Sequence, residues 1–369
     1  MAFVPTARID LDALRHNLAV ARAAAPGRKA MAVIKADAYG HGLARIAAAL
    51  GDADALAVAR LGEAVALHDA GCRRPIVLLE GCLDAEELAE AAARDFVPVV
   101  HHSEQLELLR TARPARPLAC WLKVDTGMHR LGFAPDMAAD AFTQLSAMDS
   151  VRGQPGLMTH LANADDRWDP TTAAQLALFK PLADRFAVPT SVANSAGILG
   201  CPDSHGDWIR PGLMLYGASP FLNGKGGDDS LRPVMTLSAR LIAVNQLKAG
   251  DPVGYGGSWR CPQDMAVGVV GIGYGDGYPR EIAADTPVLV NGRQTRIVAR
   301  VSMDMVTVDL SGLPAARVGD PVTLWGEGLP VERIALAADT IPYTLFCGIT
   351  SRVQYDYVGG KAPARENQA

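Results

Sequence analysis

The chain has 369 residues, of which 49% are hydrophobic and 20% are charged, and its formal net charge at pH 7 is -5. This length is enough for two domains, or for one large barrel with an additional module. The acidic balance argues against a nucleic-acid-binding surface, which usually comes with a basic domain, and no stretch reaches the ~18 uninterrupted apolar residues of a membrane span.

The N-terminal segment and the cysteines predict a cytoplasmic protein. The opening MAFVPTARIDLDALRHN has no apolar core of the kind found in a signal peptide. The 6 cysteines show no CxxC pairing, so we interpret them as small buried apolar side chains in a reducing compartment. We therefore expect neither a disulfide framework nor a metal site.

Short apolar runs alternate with helical patterns between about residues 29 and 217. The segments between the runs, such as LGEAVALHDAG at 61–71, carry apolar residues at helical spacing. The runs are AMAVIKA (30–36), ALAVAR (55–60), PIVLLEG (75–81), FVPVVHH (96–102), LACWLKVD (118–125), GLMTHL (156–161), TSVANS (190–195) and GLMLYG (212–217). Eight strand candidates with intervening helices predict an α/β fold, a (β/α)₈ TIM-type barrel, although a doubly wound open sheet gives the same string.

The pattern changes near Arg232 and Pro233, where β-branched and alternating runs begin. The segment VLVNGRQTRI carries an Asn-Gly pair between two such runs, which is a strong hairpin signal. We therefore predict a mostly antiparallel C-terminal β-domain. The predicted bounds are a barrel at 1–232 with a linker at 221–233, a β-domain at 233–359 with which the first strand of the chain can pair, and a disordered tail at 360–369.

The carboxyl ends of the barrel strands are where barrel enzymes place their catalytic groups. The first run ends in AVIKADAYGHG and places Lys35 in an apolar strand. A buried ammonium is costly, and a Schiff base with a cofactor removes its charge. Position alone does not decide between this role and a salt bridge across the barrel.

Four later runs of the predicted barrel carry polar side chains within them or next to them. WLKVDTGMHRLGF contains Lys123 and Arg130, THLANAD contains His160, and VANSAG contains Asn194 and Ser195. WIRPGLMLYG contains Arg210, Gly212 and Leu213. Because the loops after strands seven and eight commonly hold phosphate in barrels, the hydroxyl of Ser195 and the open backbone at Gly212 predict a phosphate cradle.

Three further motifs lie in the predicted β-domain. GYGGSW contains Tyr255, GYGDGYPR contains Tyr274 and Tyr278, and VSMDM contains Met303 and Asp304. We interpret Tyr278 as an aromatic residue that packs the sheet. GYGDGYPR is not GxGxxG and opens no helix, so it does not indicate a dinucleotide site.

Taken together, these motifs resemble the bacterial alanine racemases over essentially the whole chain, with AVIKADAYGHG as the most specific match. The resemblance implies a barrel and a C-terminal β-domain assembled as a head-to-tail homodimer, in which each active site borrows residues from the partner's β-domain. It also implies pyridoxal 5'-phosphate as the cofactor, with Lys35 as its covalent anchor and Arg210 facing the pyridine nitrogen. The residues that it assigns to the cofactor phosphate are Tyr39, Ser195, Gly212, Leu213 and Tyr357, with Asn194 beside them.

The same resemblance implies roles in catalysis and substrate binding. Lys35 and Tyr255 are the two bases, which act on opposite faces of the substrate, and His160 links Tyr255 to Arg210. The other implied roles are a substrate-carboxylate and cofactor contact for Arg130, a carboxylate site at the Met303 N–H with Asp304 beside it, a place at the entrance for Tyr274, and the positioning of Arg130 by Lys123, which is often carbamylated.

The predicted function is interconversion of L-alanine and D-alanine, either to supply D-alanine for peptidoglycan or to catabolise it. A racemase of broader specificity is the main alternative. A decarboxylase is disfavoured, because such enzymes pair the pyridine nitrogen with an acid and Arg210 is a donor only. A non-catalytic cofactor carrier is disfavoured by the full β-domain with Tyr255 and Met303.

Overall fold

The computed structural model describes residues 4–360. The chain begins with β1 (Thr6–Asp10) and α1 (Leu11–Ala24). Asp10 Oδ1 accepts hydrogen bonds from the N–H groups of Asp12 and Ala13, at 2.9 and 3.0 Å, so it satisfies two of the first amides of α1. The chain forms two compact units, one of Arg15–Leu215 with Pro220–Gly224, and one of the residues up to Leu14, Tyr216–Ser219 and the residues from Lys225 onward.

The first unit is a closed barrel of eight parallel strands. Its strands are β2 (Lys29–Val33), β3 (Ala55–Val58), β4 (Ile76–Leu78), β5 (Val97–Val100), β6 (Trp121–Lys123), β7 (Gly156–Met158), β8 (Thr190–Ser191) and β9 (Trp208–Ile209). The barrel closes where β9 pairs with β2, with Lys29 opposite Trp208. This closure confirms the predicted barrel and excludes the doubly wound open sheet.

Helices follow the barrel strands in the order that a (β/α)₈ pattern requires. They are α2 (Lys35–Gly40), α3 (Leu43–Ala49), α4 (Leu61–Asp69), α5 (Ala85–Arg94), α6 (Ser103–Thr111), α7 (Pro135–Ser146), α8 (Thr171–Phe186) and α9 (Ser195–Gly200), with a short 3₁₀ helix at Pro202–Ser204. The element α2 is not a right-handed α-helix, because its residues from Ala36 to Tyr39 have positive φ.

The predicted eighth strand at 212–217 is wrong. The eighth barrel strand is β9, and Leu213–Tyr216 forms a 3₁₀ helix. Pro211 and Gly212 interrupt the run, and all four residues of the 3₁₀ helix are buried. The segment is therefore apolar because it is buried, and a short apolar run does not distinguish a buried strand from a buried helical turn.

The second unit is built on an eight-stranded sheet in the order β13-β16-β15-β14-β17-β10-β1-β18. Its pairings within the described residues are antiparallel except that of β1 with β18. The remaining strands are β10 (Met235–Leu247), β11 (Pro252–Val253), β12 (Trp259–Arg260), β13 (Met265–Val270), β14 (Pro287–Val290), β15 (Arg293–Val298), β16 (Val306–Asp309), β17 (Pro321–Trp325) and β18 (Gln354–Val358), with helices α10 (Val331–Ala337) and α11 (Pro342–Cys347) and 3₁₀ helices at Gly226–Asp229, Tyr255–Gly257 and Tyr274–Asp276.

The hairpin predicted from VLVNGRQTRI is confirmed. Val290 pairs with Arg293, and Asn291 and Gly292 between them have φ of 51° and 73°. Two successive residues with positive φ suit the twist of the flanking strands. The prediction for Tyr278 is also confirmed, since its ring is buried and stacks on Trp325 with ring centroids 5.9 Å apart.

The cysteines only partly match their predicted burial. Cys82, Cys120 and Cys261 are buried, but Cys347 is exposed, and the cysteines form no disulfide with one another within residues 4–360. In the same part of the chain, no cluster of His, Cys, Asp or Glu is suited to a metal ion, and no helix is long and apolar enough to cross a membrane. The bounds 1–232 and 233–359 stay a prediction, and all but the first residue of the predicted tail lies outside the described residues.

Candidate active site

Lys35 lies at the mouth of the barrel, two residues beyond the end of β2. The prediction that it lies inside a buried apolar strand is wrong, because the strand ends at Val33 and Lys35 is only half-buried. Its ammonium group has no hydrogen-bond or ion-pair partner in the described part of the chain, so the structure does not show the alternative salt bridge across the barrel. Lys35 is therefore available for a covalent bond.

Lys123, at the end of β6, lies in a strongly positive environment. Burial, followed by the positive charges of Arg210 and Arg130, lowers the pKa of its amine to about 8, and Lys35 adds to the effect. The carboxylate of Asp125 acts in the opposite direction but does not outweigh them. Lys35, Arg130 and Arg210, which come from three predicted motifs, thus all act electrostatically on Lys123, and a site of this charge suits a phosphate and a carboxylate.

Arg210 directly follows β9 and is only 4% exposed. Its guanidinium donates to Ser191 Oγ at 2.7 Å, to the backbone oxygens of Thr159 and Val192 at 2.6 and 3.1 Å, and to His160 Nδ1 at 3.1 Å. Burial lowers its pKa to about 10, so it stays charged near neutral pH. No carboxylate is among its partners in residues 4–360, so no ion pair neutralises the positive charge of its guanidinium.

His160 follows β7 and contacts Arg210, while its predicted link to Tyr255 stays a prediction. Because arginine only donates, Nδ1 of His160 accepts, and the ring proton belongs on Nε2. Burial and the charge of Arg210 hold the pKa of His160 well below its ordinary value. The ring is therefore neutral and can receive a hydrogen bond from Arg210 while donating one on its other side.

The loops after β8 and β9 meet at the hydroxyl of Ser195. Ser195 Oγ accepts from the N–H groups of Gly212 and Met214 at 3.0 and 3.3 Å. Asn194 caps α9 by accepting from Gly197 N–H at 3.0 Å. A Cβ on Gly212 would lie 3.0 Å from Tyr39 Oη, so glycine keeps the space beside this phenol open.

This cradle fits the phosphate of pyridoxal phosphate. The predicted contacts Tyr39, Ser195 and Gly212 lie together, and Leu213 begins the 3₁₀ helix directly after them. The nearby positive charges would neutralise a dianion. The donor set is that of an anion site, with a hydroxyl, a phenol and closely approaching backbone.

The loop between β6 and α7 carries Arg130. Asp125 Oδ1 accepts from the N–H groups of Gly127 and His129 at 2.9 and 3.0 Å. These bonds fold the loop tightly, with His129 at a φ of 53°, and they leave Arg130 exposed at the barrel mouth. An exposed guanidinium near the cluster suits the capture of a substrate carboxylate.

The other predicted residues belong to the β-unit. Tyr255 begins a 3₁₀ helix and is 72% exposed, and Met303 is 52% exposed. Tyr274 N–H donates to Ser302 O at 3.0 Å, and Gly275 N–H donates to Met303 O at 2.8 Å, so the loops of Tyr274 and Met303 are joined. Tyr357 lies on β18, where its ring stacks on Tyr355.

Three side chains that hold loops of the predicted site residues were not predicted from the sequence. Arg352 forms ion pairs with Asp304 at 2.7 Å and with the buried Asp276 at 3.1 Å. Gln175 donates to His160 O at 3.0 Å, and Glu63 binds the backbone beside Lys35. Only Glu63 carried a signal, as the third residue of a helix that follows a barrel strand.

Replacing Arg210 by lysine is expected to destabilise the fold by about 1–3 kcal/mol, because buried acceptors lose their donors. A single ammonium cannot reach the four groups that the guanidinium spans. The measurement is the free energy of unfolding from a urea titration. Arg130→Lys is the matched control, and because Arg130 is exposed its effect should stay within about 0.5 kcal/mol. Equal stability of the two variants would contradict the bonds described for Arg210.

Two family models together match nearly the whole chain. The model of the alanine racemase N-terminal domain matches residues 9–220, and that of the C-terminal domain matches residues 234–357. The alanine racemase of Halorhodospira halophila is 52% identical over 362 residues, which are 98% of this chain and 100% of that protein.

Two solved structures are similar in fold over nearly the full chain. The biosynthetic alanine racemase of Pseudomonas aeruginosa has a TM-score of 0.94 and 44% identity, covering 97% of this chain and 100% of its own. The alanine racemase of Bartonella henselae with covalently bound pyridoxal phosphate has a TM-score of 0.86 and 29% identity, covering 96% of this chain and 99% of its own.

Proposed function

The chain belongs to the alanine racemase family, and on that premise we propose that it interconverts L-alanine and D-alanine with pyridoxal phosphate held on Lys35. The single observation that carries the proposal is the cluster at the barrel mouth. A lysine without a partner among the described residues, a buried arginine and an open anion cradle lie within one site. The similarity to a racemase with covalently bound pyridoxal phosphate supports the choice of cofactor.

The cofactor, when bound, supplies an electron-withdrawing ring that stabilises the charge left on Cα as the α-proton departs. The protein must then remove a proton from one face of Cα and return one to the other. We assign one face to Lys35 Nζ and the other to Tyr255 Oη. Tyr39, Ser195, Gly212, Leu213 and Tyr357 are assigned to the phosphate, with Asn194 capping the helix beside them.

Arg210 is assigned to the pyridine nitrogen. As a donor that remains charged, it keeps that nitrogen without a proton and so limits how much negative charge the ring accepts. The charge on Cα is then short-lived, which favours return of a proton over side reactions. His160, which accepts a hydrogen bond from Arg210, is assigned to the hydrogen-bond chain that links Arg210 to Tyr255.

Arg130 is assigned to the substrate carboxylate, together with the backbone N–H of Met303. We assign Lys123 to the positioning of Arg130. Its lowered pKa, about 8, leaves a neutral amine in part of the molecules near neutral pH. That amine can add carbon dioxide, releasing one proton and forming a carbamate whose negative charge would bind Arg130.

We propose a head-to-tail homodimer in which the exposed residues Tyr255, Tyr274 and Met303 complete the partner's barrel. Exposed aromatic and methionine side chains on polar loops are typical of surfaces that become covered. Asp304, which forms an ion pair with Arg352, directly follows Met303 and is assigned to hold its loop in place. The sharing of a site between two copies would make dimerisation a requirement for activity.

We further propose a cytoplasmic location and a biosynthetic role. Cysteines that form no disulfide with one another in the described part of the chain suit a reducing compartment. The similarity to a Pseudomonas aeruginosa enzyme described as biosynthetic favours supply of D-alanine for the cell wall over its catabolism.

Chiral analysis of an amino-acid panel tests the proposed function. Purified protein is incubated separately with each enantiomer of alanine, serine, lysine and arginine. We expect alanine of either hand to approach an equal mixture, while the other amino acids change far more slowly. Comparable turnover of several amino acids would indicate a broad-specificity racemase, and release of carbon dioxide would indicate a decarboxylase.

The absorbance spectrum supplies the control for that panel. Borohydride should abolish the cofactor's visible band and the activity together, because it makes the bond to Lys35 permanent. A bound chromophore without any turnover would contradict the proposal and would indicate a carrier protein.

A further inference from the structure

The four residues that follow Lys35 form a left-handed helical turn. Ala36, Asp37, Ala38 and Tyr39 have φ between 52° and 54° and ψ between 44° and 56°. None of them is glycine, and L-residues adopt this conformation at an energetic cost, normally one residue at a time. A run of four therefore needs support from surrounding groups.

The turn joins two residues of the proposed site. It starts directly after Lys35, the proposed anchor, and it ends at the buried Tyr39, whose phenol lies beside Gly212. The conformation of the turn therefore influences both the direction of the backbone at Lys35 and the position of Tyr39.

Glu63 connects this turn to the neighbouring barrel strand. Its Oε1 accepts from Ala36 N–H at 2.5 Å, and its Oε2 accepts from the N–H groups of Ala59 and Arg60 at 2.9 and 3.2 Å. Ala36 is the first left-handed residue, and Ala59 directly follows β3. One half-buried carboxylate thus ties the residue after Lys35 to the adjacent strand end.

A carboxylate is the side chain that these contacts require. All three backbone groups are donors, and they divide between the two oxygens of Glu63. Glutamine would place an NH₂ group against at least one of these donors, because it has a single acceptor oxygen. Aspartate is shorter by one carbon and cannot reach both sides. The contacts therefore constrain charge and length together.

We propose that Glu63 is a positioning residue for Lys35, holding the left-handed turn so that the lysine amine stays aimed into the barrel mouth. This inference rests on the proposed function. The lysine side chain is long and flexible, yet the same amine must serve as the covalent anchor and, once released, as a base at Cα. A fixed backbone at its root limits the positions that the amine samples, and pre-organisation of this kind is what catalysis by proximity depends on.

Glu87 offers a matched control on the same barrel. It is the third residue of α5, as Glu63 is the third residue of α4, and it is also half-buried. Glu87 Oε2 accepts from Leu83 N–H at 2.8 Å, which is a capping contact within its own loop. The variant Glu87→Gln makes the same change of side chain at a comparable helix start without touching the lysine turn, and glutamine can still accept the single bond from Leu83 N–H.

The experiment measures how fast Lys35 takes up pyridoxal phosphate in the full-length protein. The amine condenses with the cofactor aldehyde and releases water, and borohydride then reduces the C=N bond to a stable C–N bond. Mass spectrometry of the Lys35 peptide gives the trapped fraction over time. We expect Glu63→Gln to slow trapping by at least ~10-fold relative to Glu87→Gln, as expected when orientation is lost, although the two variants melt at similar temperatures.

Steady-state kinetics of the loaded enzymes give a second readout. We expect kcat of Glu63→Gln to fall while KM for alanine stays close to that of Glu87→Gln, because Glu63 touches no substrate. If the trapping rate and kcat of Glu63→Gln equal those of Glu87→Gln, the inference about Glu63 is overturned but the proposed function is not. A wild-type protein that takes up no pyridoxal phosphate at Lys35 would overturn the proposed function as well.

A double variant keeps the test decisive if Glu63→Gln does not fold. Adding Ala36→Gly relieves the turn, because glycine adopts positive φ without the usual penalty. We expect this protein to fold but to trap Lys35 slowly, since it lacks the carboxylate that ties the turn to the end of β3. A wild-type trapping rate in the folded double variant would overturn the inference.

Discussion

Lys35→Ala is expected to lower racemisation by roughly 10⁴-fold or more, because a single proton-transfer group already contributes up to about that factor and Lys35 is also the proposed cofactor anchor. The ammonium group has no partner within residues 4–360, and its positive charge is among those that lower the pKa of Lys123. Its removal should therefore relieve repulsion and leave stability unchanged or higher. The measurement is racemisation from each enantiomer, with the unfolding midpoint recorded alongside.

Lys180→Ala is the matched control for this variant. Lys180 lies in α8 of the same unit, is exposed, and pairs with Asp184 across one helical turn. We expect its activity to match that of the wild type. A small primary amine added to Lys35→Ala should restore part of the activity by supplying the missing base. More than a tenth of wild-type activity without added amine would rule out the assigned role of Lys35.

The second large effect is expected from Tyr255→Phe, which should slow α-proton exchange from L-alanine by roughly 10²–10⁴-fold, the usual range for a lost general base. By family analogy Lys35 acts on the D-enantiomer, so exchange from D-alanine should be affected less. Phenylalanine removes only the hydroxyl of a ring that is 72% exposed in the protomer. The measurement is deuterium incorporation from heavy water into each enantiomer, and Tyr343→Phe in α11 serves as the control. Equal loss for both enantiomers would overturn the assignment of faces.

Mixing the two inactive variants tests whether the site is shared. In a symmetric dimer with shared sites, half of the randomly paired dimers of Lys35→Ala and Tyr255→Phe carry one intact site out of two, which restores about a quarter of wild-type activity. Recovery on mixing would support the proposed exchange of Tyr255 between protomers. A mixture that remains as inactive as its components would argue that each site is built from one chain.

Features that depend on neighbours in the sequence were predicted well. The Asn291-Gly292 hairpin follows from the φ that each residue tolerates, and seven of the barrel strands coincide with predicted apolar runs. The eighth run failed for a local reason as well, since Pro211 and Gly212 end strand pairing in a segment that stays buried. Burial alone explains its composition, and composition does not reveal the backbone conformation.

The sequence by itself determined that Lys35, Lys123 and His160 gather at the barrel mouth, because parallel strands in a barrel all end at one face. Arg210 precedes the run predicted as the eighth strand, and it joins them because the eighth strand is β9, which ends at Ile209. Only the tertiary structure decided the lowered pKa of Lys123 and the bonds of Glu63, because both depend on distances and burial between residues of different strands. The position of Glu63 at the start of its own helix gives no indication of a bond to Ala36, which is 27 positions away, and that contact appears only once β2 and β3 lie side by side.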